Sequence, residues 1–517
     1  MLLNRAKLAL FGLLAILSFS VGMAMAGPIT LNALDGTVSV SGELIEYDGV
    51  TYRLATPVGE ISLNADQVAC IGADCPNLAA DRTDFTMSGA AAVGENLLPA
   101  LIEVFALERG GDLDVNPVSD GATKYSVLDA DGTVHAEITV QSRDSLTGFS
   151  DLLEGSADIG VSSRRVSEVE VTAFDLAGKG KLRNADNEQI IALDGVILAV
   201  NRNNPVRVLD MRQIAGIFDG SITNWKQLGG LDAPIVVYRQ AVTSGAATVL
   251  AARVGGLPFS DQAVVLDSET AVSDAVTADE NGIGLTSFAQ ERNARALAVR
   301  SVCGAVYEPT AFSIKTEEYP LSRRLYFYST GQSLPGVAAE FIEFVKSSDA
   351  QAVINNAGYV GQNPSVASLE NQGRRMAQAI VSATGRTELL QLQDVTSIIL
   401  DAERLSFTLR YNEKGELDAR AVSDIERLAA MIKDKKFVSR QLLVLGFSDN
   451  AGSANAQLSA TQSIAEKVRD EIVTATGRVN LGNVRISPVG YGSLLPLSCN
   501  ETNAGRAGNN RVEIWVK

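Results

Sequence analysis

Residues 193–206 read LDGVILAVNRNNPV and residues 235–238 read IVVY. The first holds an apolar run from Val196 to Val200 that stops at Asn and Pro, and the second is equally β-branched and short. Such runs, bounded by turn-forming residues, predict buried strands. The spacing then becomes helical: Val337, Phe341 and Val345 fall on one face just after Pro335, and proline suits a helix start because its missing N–H needs no partner there. Alternation of the two patterns from about Asp84 to Gln362 predicts an α/β sandwich.

Downstream, the chain from Pro364 to Leu400 is polar and helix-prone without a clear core pattern, which predicts a helical linker over 363–400. A compact α+β pattern follows over 401–517. LSFTLRY alternates as a strand does, Ile425, Leu428 and Ile432 share a helical face, and QLLVLGF reads as a buried strand. Leu458, Ala465, Val468 and Ile472 line a second helix, and the chain closes on the strand RVEIWV. Upstream, TVSVSG, GELIEYDG, TYRLATPVG and EISLNA alternate with period two between turn signals, predicting a small β module over 27–80. Residues 1–26 carry Arg5 and Lys7, an apolar run from Leu8 to Val21, and small residues ending Ala24-Met25-Ala26, the pattern of a cleaved secretory signal peptide. That run is shorter than the ~20 apolar residues that span a bilayer.

Export sets the redox environment of the four cysteines. Cys70 and Cys75, in CIGADC, are spaced to close a small loop. Cys303 and Cys499 fall in different predicted domains, either bridged and pinning those domains together or as two buried thiols. A single histidine, His135, with no Cys or carboxylate cluster beside it, gives no expectation of a metal site. The chain has 44 Lys and Arg against 61 Asp and Glu, a net charge of −17, and the mature chain is more acidic still once Arg5 and Lys7 leave with the leader. That balance disfavours nucleic acid or an anionic membrane as partner, so any bound anion must be held by local donors.

Three segments supply such donors. DSLTGFSDLLEG places Ser145 and Thr147 just before a predicted helix; ADIGVSSRR brings Asp158, Ser162, Ser163 and Arg164 to the end of a strand; VVYRQAVTSGAAT supplies Arg239, Thr243, Ser244 and Gly245 before another helix. Hydroxyls and N–H groups at helix N-termini, with Arg forks, are what an oxyanion requires. Donors at two facing helix starts describe a cleft between two lobes.

At these residues the chain resembles the substrate-binding proteins of phosphate ABC transporters. LDGVILAVNRNNPV, IAGIFDGSITNWKQLGG, NGIGLTSF, YPLSRRLYFY and FVKSSDAQAVINNAGYVG also resemble that family's segments, in order, over residues 84–362. The resemblance implies a two-lobed periplasmic-binding-protein fold that closes on its ligand about a hinge. It implies that Asp158 accepts a proton-bearing oxygen of phosphate or a related oxyanion, while Ser145, Arg164, Arg239 and Ser244 donate. An ABC permease is the partner that such a receptor implies. An alternative reading of Asp158 and Arg164 is a pair that fixes the domain. The family's hydroxyl-bearing first loop is Gly89-Ala90-Ala91-Ala92 here, and Ala246 stands where a Thr is usual.

GFSDNAGSANAQLSATQSIAEKV, followed by SPVGYGSLLPLSCNETNAGRAGNNRVEIWV, resembles the OmpA-like peptidoglycan-binding domain. That family recognises the zwitterionic side chain of diaminopimelate with a carboxylate and a guanidinium. The resemblance assigns Asp449 as the acid, Asn455 to shaping the loop, and Arg506 and Arg511 as family arginines. Gln462 stands at the usual Arg position. Asp449 also reads as a turn cap, and Arg511 as a framework residue of the last strand.

The expected architecture is multidomain α/β: a small N-terminal β module, a two-lobed ligand domain and a C-terminal α+β domain. The expected function is oxyanion binding at the cell wall, with no cofactor and no enzymatic constellation of nucleophile, base and oxyanion donors. The alternative is an envelope tether with a decayed cleft.

Overall fold

The computed structural model describes residues 28–33, 38–47, 51–64, 67–71, 75, 83–119, 121–184, 186–301, 303–330, 334–369, 372–477, 484–501 and 503–517. The expected leader lies outside them. The chain forms two compact units that divide after residue 78. Among the described residues no helix is long and apolar enough to cross a membrane.

The first unit is a five-stranded sheet in the order Gly59–Asn64, Thr51–Thr56, Ser39–Tyr47, Pro28–Ala33, Val68–Ile71, every pair antiparallel. Period-two alternation puts Ile29, Leu31, Tyr52 and Leu54 on one buried face, where Tyr47 stacks on Tyr52 with ring centroids 4.1 Å apart. Cys70 and Cys75 are bridged.

In the second unit, one sheet runs through both lobes of an α/β sandwich. Its middle is the long strand Glu188–Val200 paired antiparallel with Ser322–Tyr328. Up to Ala192 this strand belongs to a core with Phe85, Leu101, Phe105 and Phe341; from Leu193 onward it belongs to another with Ile214, Trp225, Leu250 and Ile283. The pairing register shifts between Ile190 and Ala192, so the irregularity falls where one core hands over to the other. The expected hinge between the lobes would fall at this handover. Val337, Phe341 and Val345 are buried on the helix Gly336–Lys346, which Pro335 opens.

The C-terminal sheet runs Val366–Ser368, Glu403–Arg410, Arg511–Val516, Gln441–Phe447, Arg485–Gly490. The helices Ala419–Lys433 and Ala454–Thr476 cover one face through Ile425, Leu428, Val468 and Ile472. The other face corrects the expectation of a linker over 363–400. Val366–Ser368 pairs as an edge strand, and the helices Gly373–Ser382 and Arg386–Ile399 bury Met376, Leu392, Val395 and Ile399 against Leu443, Leu445, Phe447 and Trp515.

This domain is fastened to the second lobe. Cys303 and Cys499 are bridged, the first of the two readings left open by the sequence. The turn at Glu317 and Glu318 inserts among arginines: Arg420 Nη1 lies 3.1 Å from Glu317, Arg410 Nε donates to Glu317 at 3.3 Å, and Arg404 lies 2.5 Å from Glu318. Burial would raise the Glu317 carboxyl, but Arg324, Arg420 and Arg410 hold it well below its ordinary value.

Candidate functional site

Asp144 caps the helix Ser145–Glu154, accepting from the Thr147 N–H at 2.8 Å and the Thr147 hydroxyl at 3.1 Å, so Thr147 is engaged in the cap. One residue on from the cap, the Ser145 hydroxyl accepts from the Ser163 N–H at 3.1 Å and lies 3.4 Å from the Ser163 hydroxyl. Both serines are buried. Ser163 follows the strand Ile159–Ser162, which pairs in parallel with Asp84–Ala90. From the second lobe, Ser244 caps the helix Gly245–Arg253 by accepting from Ala247 N–H at 3.3 Å. A Cβ added to Gly245 would sit 2.0 Å from Ser163 Oγ, so this backbone lies close against the first lobe and a larger residue would require Ser163 to shift. Ser145, Ser163, Ser244 and Gly245 therefore meet where two helix N-termini converge, and helix N-termini favour anions.

Asp158 is a correction. It precedes the strand whose far end carries Ser163, and its carboxylate accepts from the Thr86 N–H at 2.8 Å. At about 3.3 Å per residue, a strand's length separates it from the serines. Arg164 is committed to Glu170 by a two-pronged pair at 2.6 and 2.8 Å and lies over the Phe149 ring, so it does not pair with Asp158 either. Hydrogen bonding to Glu170 holds its guanidinium above the ordinary value. Arg239 is buried in its own lobe, donating to the Gln240 carbonyl at 2.9 Å over the Phe259 ring. Neither arginine reaches the serine cluster through a hydrogen bond of this structure.

Sequence reasoning missed a buried triad beside that cluster. Arg323 pairs with Asp194 at 2.6 Å and with Glu269 at 2.9 Å. Burial lowers the Arg323 pKa, but the two carboxylates more than offset it; burial raises that of Glu269 against the pull of Arg323. The signal was present: Asp194 interrupts an apolar strand and Arg323 opens another, and buried charges are retained only when paired.

In the C-terminal domain, Asp449 follows the strand Gln441–Phe447. Its N–H donates to Asn510 Oδ1 at 2.9 Å, and its carboxylate accepts from the Ala451 N–H at 3.0 Å, as a turn cap does. A cavity of about 550 Å³ opens next to it, lined by Asn450, Gln457, Leu458 and Tyr491 and, from the second helix pair, by Arg386 and Gln391. Asn455 is exposed in the first turn of Ala454–Thr476. Gln462 accepts from the Gly490 N–H at 2.9 Å and donates to Glu466 at 2.8 Å, which ties it into the fold. Arg506 donates to the Asn500 carbonyl at 2.9 Å and to Asn503. Arg511 is fully buried, bonded to Glu513 at 2.7 Å and stacked over Phe447 at 4.4 Å, and burial pulls its guanidinium down to about 10. It is a framework residue and not a ligand contact.

Residues 120–349 match the model of the PBP superfamily domain, and residues 411–510 match the OmpA family. Over 228 residues the chain is 30% identical to the phosphate-binding protein PstS of Bacillus subtilis, spanning 44% of this chain and 71% of that protein. It is 26% identical over 274 residues to the phosphate-binding protein PstS of Pseudomonas aeruginosa, spanning 48% of this chain and 81% of that one. Among solved structures it is similar to an ABC-type phosphate transport receptor from Vibrio cholerae, at 25% identity and a TM-score of 0.41, covering 53% of this chain and 99% of that chain.

Proposed function

Because this chain belongs to the family of PstS phosphate-binding proteins, we propose that it is an exported envelope protein that captures phosphate or a related oxyanion between its lobes. Its OmpA domain holds it to peptidoglycan through the diaminopimelate side chain. The observation that carries the ligand half is the meeting of Ser145, Ser163 and the Gly245 helix start at the closure of two lobes. Helix N-termini and hydroxyls supply donors without needing bulk positive charge, which an acidic chain lacks. On this reading the role is binding and not catalysis. The wall half rests on Asp449 beside the cavity at Asn450. An ABC permease is the partner implied if the ligand is passed on for uptake; sensing or storage at the wall needs none.

A second reading is favoured by the commitment of Arg164 to Glu170 and of Arg239 to the Gln240 carbonyl. With both guanidiniums used inside their lobes, the protein would be a tether with a decayed cleft. Calorimetric titration of the full chain with phosphate, arsenate and sulfate separates the two. Saturable heat with phosphate or arsenate is expected; no heat and no thermal stabilisation by any of the three would leave the tether.

A further inference from the structure

Arg323 stands directly opposite Asp194 in the pairing of Ser322–Tyr328 with Glu188–Val200, on the strands that pass between the lobes. Its Nε and Nη2 donate to Asp194 Oδ2 at 2.9 and 2.6 Å, and Nη2 donates also to Glu269 Oε1 at 2.9 Å. Two carboxylates thus clamp one face of the guanidinium and fix the direction of the other. Arg323 is 4% exposed, and its Nη1 has no partner among the described residues. That atom would lie 2.9 Å from a Cβ on Gly245, whose nearest neighbour would be Ser163 Oγ. Glu269 is 5% exposed and leaves Oε2 without a partner.

Buried donors and acceptors are rarely left unpaired, and each orphan asks for an explanation. Here one donor and one acceptor are orphaned in the same ion-paired cluster, beside two helix N-termini. Asp194 is already engaged inside the protein: Oδ2 accepts twice from Arg323, and the Ser287 hydroxyl lies within hydrogen-bond distance of both its oxygens. Glu95, from the first lobe, adds a further negative charge acting on Glu269.

We propose that Arg323 and Glu269 are the specificity-determining pair of the cleft, Nη1 donating to an ionised oxygen of a tetrahedral oxyanion and Oε2 sharing the proton of its hydroxyl. This rests on the oxyanion-binding reading above. The cluster holds one guanidinium against two carboxylates, so it is not a general anion trap. Hydrogen phosphate or hydrogen arsenate brings the proton that the Oε2 contact needs. Sulfate brings none and meets a carboxylate with nothing to share. Arg323 and Glu269 would thereby do what Arg164, Arg239 and Asp158 do not.

The test is calorimetric titration of the full chain with phosphate and with sulfate at neutral pH, on the parent, Glu269→Gln and Arg323→Lys, with a thermal unfolding midpoint for each. The Gln carbonyl still accepts from Arg323 while its amide donates to any oxygen, so the preference for phosphate over sulfate should narrow by about tenfold or more. Lysine keeps the charge but loses the fork, and both anions should weaken by about tenfold or more. If Arg323→Lys does not fold, Glu269→Gln decides alone. Parental selectivity in Glu269→Gln, or parental affinity in a folded Arg323→Lys, overturns the pair while the oxyanion reading stands. A parent that binds no phosphate overturns both.

Discussion

At position 245 a single methyl group would meet both Ser163 of the first lobe and Arg323 at the hinge. Gly245→Ala is therefore expected to hold the lobes apart and weaken phosphate binding by about tenfold or more. Its thermal midpoint should stay near the parent's, because the change lies in a cleft and not in a core. Unchanged affinity in titration would mean that closure does not bring these atoms together. In the C-terminal domain two residues of similar family standing should separate. Arg511→Ala removes one of the three guanidiniums around the buried Glu513, leaving Arg375 and Arg404, and should cost about 1.5–3 kcal/mol in denaturant unfolding. Asp449→Ala should cost only the turn cap, about 0.5–2 kcal/mol, and lose sedimentation with purified peptidoglycan. That Ser145, Ser244 and Gly245 stand at helix starts was legible because helix-start chemistry is local. The arginines were not, because a motif does not say whether a carboxylate six residues on, such as Glu170, has already claimed the guanidinium.

Among the elements, the helices Gly373–Ser382 and Arg386–Ile399 were read as linker because their apolar stripe is sparse and most of their surface is polar. The requirement lay elsewhere, in QLLVLGF. A strand apolar at successive positions is buried on both faces and needs a cover on each. The helices Ala419–Lys433 and Ala454–Thr476 supply one cover, and the supposed linker supplies the other. Leu392→Ala should accordingly cost about 2–5 kcal/mol, the range of a core truncation. A change within about 0.5 kcal/mol in denaturant unfolding, the range of an exposed site, would restore the linker. Of the N-terminal strands, Thr51–Thr56 and Gly59–Asn64 were legible from period-two alternation, whereas TVSVSG and GELIEYDG, read as two runs, join in the single strand Ser39–Tyr47, and Pro28–Ala33 and Val68–Ile71 carried too short a pattern to be read.

For the molecule as a whole, the second lobe and the C-terminal OmpA domain are joined by the Cys303–Cys499 bridge and the arginines around Glu317. On the proposed reading, the first lobe is the part expected to open and close about the strand exchange near Ala192. Glu317→Gln removes the carboxylate that three guanidiniums share and should destabilise the junction by about 3 kcal/mol. The sign of its pH dependence follows from the direction of the shift. Glu317 is held below its ordinary value of 4.5, so its contribution is fully present above that pH and is lost as pH falls through the lower folded value. Acid unfolding of the parent should therefore be steeper below pH 4.5 than that of Glu317→Gln, as followed by circular dichroism. Domain order and sheet patterns were readable along the chain, whereas this seam was not, because its charges lie about a hundred residues apart and pair only once both domains have folded. A receptor fixed at the wall should carry its ligand there, so the full chain, labelled phosphate and purified peptidoglycan are to be sedimented together. Phosphate in the pellet in proportion to protein, released to the supernatant together with protein in Asp449→Ala, is the expected result; protein in the pellet with all phosphate left in solution would contradict a wall-held oxyanion receptor.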